Sequence, residues 1–426
     1  MLKKRPVISQ LVADTPIPRL FKVRQHFPRE TVPAADIPAV IREQLQPFAA
    51  RLQAGQRIAV AAGSRGIANI DVMVKTTVDF IKEQGASPFI VPSMGSHGGA
   101  TADGQTGILA SLGITPESMG CPVVSSMEVK RIGLTDDGRE VFIDKNAAEA
   151  DGIVPVCRIK PHTAFRGAYE SGMMKMLAIG LSKQAGAERT HFEGIHNMAK
   201  NVHQFGRAII RHAPVMFAVA CIENAYDETG RLVVVDAADI EAREPELLRE
   251  AFAKMPRIWV DSCDVLVVDQ IGKNFSGDGM DPNITGTFYS DCASGGIKSQ
   301  KVAVLDLTDE SHGNGVGIGT CHAIPEALYD KLDLQSLYVN CITGTVLHCA
   351  RIPMIMENHK ECIQVCLRSC VENDKNNPRL VRIPNSLHLE HIMLSEAYWE
   401  EAKSNPHLAI ESEPFALAFD AAGNLF

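Results

Sequence analysis

The sequence predicts an α/β protein of two domains, each built on a mostly parallel sheet, with the active site in the cleft between them. Three observations carry this. Short apolar runs that read as buried strands alternate with longer amphipathic segments that read as helices. A chain of 426 residues is about two domains' worth. Its composition, 45% hydrophobic and 22% charged, supplies enough apolar material for sizeable cores. Residues 1–272 are expected to form an N-terminal cofactor-binding domain, with the tail 410–426 packing back on it, and residues 273–409 a smaller C-terminal domain.

The chain opens with an irregular arm to about Pro33, followed by a helix over 35–54. RIAVAAGS, from Arg57, reads as a buried strand, and DVMVKTTVDFIKEQG places its apolar residues at helical spacing. SPFIVPSMGS is the second strand and TADGQTGILASLG the helix behind it, so parallel strands with crossover helices are expected. VKRIGLTDDGREVFID reads as a hairpin turning at Asp136-Asp137-Gly138, and GIVPV as a further strand. HNMAKNVHQFGRAIIRH then reads as a helix, VMFAVACIEN as a strand, AYDETGRLVVVDA as another hairpin, and VLVVDQIGK as the last strand of the first domain. Beyond the polar, glycine-rich NFSGDGMDPNITG come the strand KVAVLDLT, helices in IPEALYDKLD and over 354–371, the strand RLVRIP, and a closing hairpin in FALAFDAAGNLF.

A net charge of -9 and a pI near 5.9, with no long basic run, argue against a nucleic-acid partner. No run of ~18 apolar residues could span a bilayer, so no membrane partner is expected and the protein is expected in the cytoplasm. The 11 cysteines stand in apolar contexts, as reduced core thiols do. Cys362, Cys366 and Cys370 recur every four residues, which suits one buried helix face better than a metal cluster.

Potential chemistry is densest between Arg158 and Asn201. His162 follows the apolar run and should sit where a strand opens into a loop. Lys175, after Glu170-Ser171-Gly172 and before MLAIGL, should lie in the first turn of a buried helix. There the helix dipole and the apolar surroundings both disfavour its charge, which suits a nucleophilic or covalently modified amine. His191 stands sixteen residues on, roughly 24 Å along an unbroken helix, so the chain must turn back if the two share a site. Gly180 and Gly186 offer places for that turn. His196, His203 and His212 are not spaced as a ligand pair and read as solvated or helix-end residues.

Two loops at strand carboxyl ends, 63–66 and 94–101, lie where open α/β sheets bind ligands. Gly95, Gly98 and Gly99 would let backbone amides approach a phosphate, with Thr101 capping the next helix. His97, in the middle of that loop, is best used as a general acid or base.

These residues, Arg65 in AAGSRG, His97 in SMGSHGGAT, SGMMK ending at Lys175 and His191, resemble the nickel-pincer nucleotide-dependent lactate racemase family. The resemblance covers roughly the first half of the chain. It implies racemisation or epimerisation at C2 of a 2-hydroxy acid by reversible hydride transfer to a pyridinium-3,5-bisthiocarboxylic acid mononucleotide carrying nickel. In those terms His97 and His162 are the two bases and Lys175 holds the cofactor covalently. Ser64, Gly98 and Gly99 touch the cofactor, and His191 ligates nickel. Arg65 would grip the substrate carboxylate, with Arg166 and Asn283 as further substrate contacts. Cofactor-synthesis enzymes would be transient partners. The family's Tyr-Gln-x-x-Lys run has no match in register around Tyr289 and Lys298.

Asn274, Ser276, Asp278, Asp281, Asn283 and Thr285 would suit a substrate with many hydroxyls. That favours an aldonate, with a dicarboxylic hydroxy acid second, Arg166 then taking the far carboxylate, and lactate also possible. A different class stays open, a non-enzymatic binder or sensor of a phosphorylated small molecule that uses the glycine loop and Arg65. A zinc hydrolase finds no close His pair or His-x-x-Glu spacing to support it.

Overall fold

The computed structural model describes residues 5–64 and 66–426. It is a mixed α/β protein of two compact units, each with a large sheet. In chain order the first eight strands are β1 (Leu20–Gln25), β2 (Arg57–Ala62), β3 (Ser87–Pro92), β4 (Val129–Leu134), β5 (Glu140–Asp144), β6 (Gly152–Arg158), β7 (Phe217–Glu223) and β8 (Thr229–Asp236). They are followed by β9 (Ser262–Ile271), β10 (Lys298–Leu307), β11 (Ala323–Pro325), β12 (Met354–Met356), β13 (Leu380–Ile383), β14 (His391–Ser395) and β15 (Leu408–Ile410).

One unit is Arg29–Met255. Its sheet runs β3-β2-β6-β7-β8, parallel except that β8 returns antiparallel to β7. The alternation of its strands divides two cores. Ile58, Val60, Ala62, Val154 and Val156 pack with Met73, Val74 and Val78 of helix Ile70–Glu83 and with Ile37 and Ile41. Ala59, Ala61 and Ile153 point the other way, against Leu177, Ala178 and Leu181 and against Phe205 and Ile209 of helix Met198–His212. Burying both faces is what the continuous apolar character of RIAVAAGS demands. The hairpin β4-β5 forms as its Asp-Asp-Gly turn predicts.

The other unit joins Pro256–Phe426 to the N-terminal segment that ends at Pro28. Its sheet runs β12-β11-β10-β9-β13-β14-β1-β15, parallel from β12 to β13 and antiparallel beyond. The expected boundary at residue 272 therefore moves to Met255, because β9 pairs with β10 and β13. The tail does bridge to the N-terminal segment, Leu20 to Phe415, but that segment lies in the same unit as the tail. Cys362, Cys366 and Cys370 are buried in an apolar cluster around helix His359–Ser369, the arrangement their spacing suggested.

Several elements differ from expectation. The arm before Pro33 contains the helix Pro6–Ala13 and β1, whose burial alternates because Lys22 and Arg24 face water. The two segments after Val215 combine into one hairpin, β7-β8. A further helix, Ile240–Lys254, tolerates Pro245 inside it. The segment 354–371 divides into β12 and helix His359–Ser369. The C-terminus makes a turn, Asp420 N–H to Asn424 carbonyl aside, without paired strands, the Asp420 amide donating at 2.9 Å. No helix among the described residues is long and apolar enough to cross a membrane.

Leu177 is fully buried between the sheet and helix Met198–His212. Leu177→Ala is expected to cost about 2–5 kcal/mol, a figure for buried leucine truncation, as a lowered midpoint in urea unfolding. A loss below about 1 kcal/mol would mean that this contact does not hold the layer.

Candidate functional site

In the Arg29–Met255 unit the chain passes from β2 to β3 on one side and later places β6 on the other side of β2. Loops at the carboxyl ends of β2 and β6 therefore diverge, which opens a crevice of the kind that binds ligands in α/β sheets. Ser64, His97, Lys160 and His162, and Asp227 follow β2, β3, β6 and β7 respectively, and so share this edge.

The His97 loop is fastened on several sides. The Gly95 amide donates to the Gly180 carbonyl at 3.0 Å, and the Ser93 hydroxyl to the Met176 carbonyl at 3.1 Å. Gly98 has φ +67, and a Cβ there would meet the Gly104 carbonyl carbon at 2.6 Å, so only glycine fits. The Gly104 amide donates to the Thr101 hydroxyl at 3.1 Å, capping helix Ala102–Ser111 as expected. His97 Nδ1 and Ser64 Oγ lie 2.5 Å apart.

The His162 loop is folded around Glu170, whose carboxylate accepts from the amides of His162 (2.7 Å) and Gly167 (3.1 Å). Glu170 is 2% exposed, and burial raises its pKa against those two amides and the cations Arg166 and Lys175. The Ala164 amide donates to His162 Nδ1 at 3.0 Å, so the neutral ring carries its proton on Nε2. The Arg166 guanidinium donates to the His162 carbonyl at 2.7 Å and lies over the Phe252 ring. Its role in the structure is to brace this loop.

Lys160 and Ser171 form an antiparallel bridge that brings the chain back to the site before the Lys175 helix starts. Met173–Lys175 is α-helical and Met176–Leu181 continues as a π-helix, a form often found at functional sites. Lys175 thus lies in the first turn, as its sequence context implied. Glu244, on helix Ile240–Lys254, accepts the Met174 amide at 2.8 Å and occupies the space where a Cβ on Gly172 would stand. Complete burial pushes the Glu244 carboxyl up to about 8, against the backbone amides that favour its charge.

The turn between Lys175 and His191 is made at Lys183, which has φ +55, a conformation that costs a non-glycine residue about 1 kcal/mol or more. Gly180 and Gly186 serve close packing instead. A Cβ on Gly180 would meet the Ser93 carbonyl oxygen at 2.6 Å and one on Gly186 the Ser182 Cβ at 2.3 Å. The return brings the Thr190 hydroxyl to the Ala178 carbonyl at 3.3 Å. His191 Nδ1 donates to the Ala187 carbonyl at 2.7 Å, which leaves Nε2 as the lone-pair nitrogen. Burial holds His191 below the usual histidine range; the Ala187 bond opposes this and the nearby Lys175 ammonium adds to it. A neutral imidazole with one nitrogen committed to a carbonyl is a suitable metal donor.

Arg65 lies outside the described residues. Asn283 belongs to the other unit, where its backbone and side-chain amides donate to Asp281 Oδ1 at 3.0 and 2.9 Å. Ser276 accepts the Asp278 amide, Asn274 accepts the Thr308 hydroxyl, and Thr285 donates to the Asp281 carbonyl, so much of that polar loop serves its own turns. His203 bonds Glu241 at 2.8 Å and stacks on Tyr169, away from any paired-histidine arrangement.

Sequence reasoning missed four groups at this edge. Glu223 pairs with Arg158 and accepts the Ala68 amide. Asp227, with φ +57, has its pKa pushed up to about 6 by burial and by Glu223, against Lys160 and Arg158. Lys183 and Gln105 are fully buried. A charged residue directly after an apolar run, as in ACIE or IGLSK, was the available signal. Gln270 and Lys273, at the end of β9, read Gln-x-x-Lys with Asp269 in place of the tyrosine, upstream of Tyr289 and Lys298.

The model of a family described as Domain of unknown function (DUF362) matches residues 61–274. A comparison with curated proteins gives no match. Among solved structures, the lactate racemase apoprotein from Thermoanaerobacterium thermosaccharolyticum is similar with a TM-score of 0.44 and 15% identity, over 85% of this chain and 84% of that one.

Between the ordinary value of 4.5 and about 8, the folded chain holds a proton on Glu244 that the unfolded chain has released. Stability from this group is therefore full below pH 4.5 and is lost as pH rises through about 8. The native protein is expected to lose up to about 1.4 kcal/mol per pH unit over that window in denaturant titrations, and Glu244→Gln, a neutral acceptor throughout, to flatten the slope. Equal slopes for the two proteins would mean that Glu244 is ionised when folded.

Proposed function

We propose that this chain, which belongs to the family described as Domain of unknown function (DUF362), is an isomerase that inverts the hydroxyl-bearing carbon of a 2-hydroxy acid with a nickel-pincer nucleotide held on Lys175. Support comes above all from His191. Its Nδ1 is committed to the Ala187 carbonyl, the chain turns back at Lys183, and the Lys175 charge acts on its ring. That pairs a nitrogen donor suited to nickel with an amine that can form a covalent link. The amides of Gly98 and Gly99 would hold the nucleotide phosphate, next to a Ser64 hydroxyl that meets His97. When bound, the group supplies a hydride acceptor for the substrate carbon.

The chain's own residues handle the proton and the carboxylate. His162 presents a proton on Nε2, because a backbone amide occupies Nδ1 and can only donate. His97 faces a hydroxyl that can donate or accept, so its Nε2 can be bare or protonated. His162 can therefore donate a hydrogen bond from Nε2 to the substrate oxygen while His97 takes the hydroxyl proton on a bare Nε2 and later returns it. Arg65 would hold the substrate carboxylate in bidentate fashion. The ranking of substrates, an aldonate first and a dicarboxylic hydroxy acid second, rests on the composition of the loop 274–286 alone. Arg166 braces His162 here rather than reaching for a far carboxylate.

Co-expression with the enzymes that build the nucleotide should yield a mass adduct on Lys175 that Lys175→Ala abolishes while the fold persists. An adduct on Lys160 or Lys183 would refute the assignment. His97→Ala or His162→Ala should each lower turnover by about 10²-fold, the usual worth of a positioned acid or base. Near-normal inversion in either variant removes that histidine from the mechanism. Lactate, malate and gluconate compared with one holoenzyme preparation identify the substrate, a preference for lactate excluding the aldonate assignment. Binding of a phosphorylated compound without turnover would point instead to a sensor.

A further inference from the structure

We propose that Lys183 and Gln105 form a positioning relay that fixes the His97 loop, with both acting through that loop and neither touching the substrate. The proposal rests on the assignment of His97 to proton transfer. Lys183 has no exposure, yet its ammonium is aimed inward from a backbone held at φ +55. It donates to the Pro92 carbonyl at 2.6 Å and to Gln105 Oε1 at 3.0 Å, with the buried Asp144 carboxylate 3.2 Å away.

An ammonium has only donors, so the Gln105 side chain must turn its oxygen toward Lys183. Its NH2 group then has to face the opposite way. There it donates to the Gly95 carbonyl at 2.9 Å and the His97 carbonyl at 3.3 Å. The backbone is thereby held on both sides of the His97 side chain, whose ring meets Ser64. Gly98 completes the clamp, with no room for a Cβ against Gly104 and Gln105.

The chemistry is costly for a purely structural part. Burying an ammonium lowers its pKa, here through burial first and in spite of Asp144, and an apolar side chain would fill the same space without that penalty. What a methionine could not do is dictate which way an amide points. Asp144 also accepts the Asn146 and Ala147 amides through its other oxygen, so the relay is anchored to the end of β5.

Gln105→Glu keeps the acceptor for Lys183 but removes both donors to the loop; Lys183→Met removes the cation. The ring nitrogens of His97 are followed by nitrogen-15 NMR titration in the protein without cofactor, and turnover is measured separately on the loaded enzyme. For Gln105→Glu the expectation is a native circular dichroism spectrum, loss of the Ser64-bonded Nδ1 signal, and a fall in kcat of about tenfold or more with little change in KM, as for a displaced catalytic group. Should Lys183→Met not fold, Gln105→Glu alone decides. An unchanged His97 titration and unchanged kcat in Gln105→Glu overturn the relay. If the titration moves but the parent protein inverts no 2-hydroxy acid, the relay stands and the proposed chemistry fails.

Discussion

The helix that carries Lys175 lies backbone to backbone against the carboxyl ends of β2 and β3, and the candidate site depends on that closeness. It is possible because both surfaces are nearly bare. Ala59 and Ala61 face the helix from the sheet, while Gly180 leaves no Cβ between its turn and the Ser93 carbonyl. With the gap closed, helix and loop exchange hydrogen bonds, Gly95 to Gly180 and Ser93 to Met176. Each is worth only about 1 kcal/mol, but each also removes a way for the His97 loop to move. A Cβ at Gly180 would drive the helix outward and take Lys175 with it.

Around this contact the interior holds far more charge chemistry than an ordinary core. Glu170, Glu244, Lys183 and Asp144 are all buried, and each is engaged with backbone amides or carbonyls at a bend of the chain. Glu244 closes the start of the Lys175 helix with a carboxyl that is largely protonated at neutral pH. A neutral cap satisfies the helix amides without supplying a counter-charge, so the dipole still opposes the Lys175 ammonium. Glu170 acts in the other direction, on the same amine.

How much of this was legible in the sequence follows the range of the interactions. RIAVAAGS and SPFIVPSMGS are local patterns, and once they are strands of a parallel sheet their loops fall on one edge, so Ser64, His97 and His162 could be grouped beforehand. The helix start at Lys175 was also local. The division into units was not, since β1 pairs with β14 through Leu20 and Ser395 and with β15 through Gln25 and Leu408. No local period reports such a pairing. Lys183 was hidden for another reason: glycine is the usual residue at positive φ, and Gly180 and Gly186 drew attention away from a lysine that adopts it. In the loop 274–286 side chains that looked ready for hydroxyls mostly cap their own turns.

The two histidines, similar in sequence terms, are made unlike by their second partners. A backbone amide can only donate, so His162 keeps its proton on Nε2 unless the ring becomes fully charged and the Ala164 bond is broken. A serine hydroxyl can reverse its role, so His97 can exchange tautomers by rotation of one O–H bond. On the proposed chemistry, one face of the substrate meets a proton carrier with a fixed resting form and the other meets one that adjusts. The adjustable side can take and return a proton only while Ser64 stays within reach of Nδ1. That requirement falls on the backbone from Gly95 to Gly99, which explains why a loop with three residues at positive φ is fastened by the helix on one side and by Gln105 on the other.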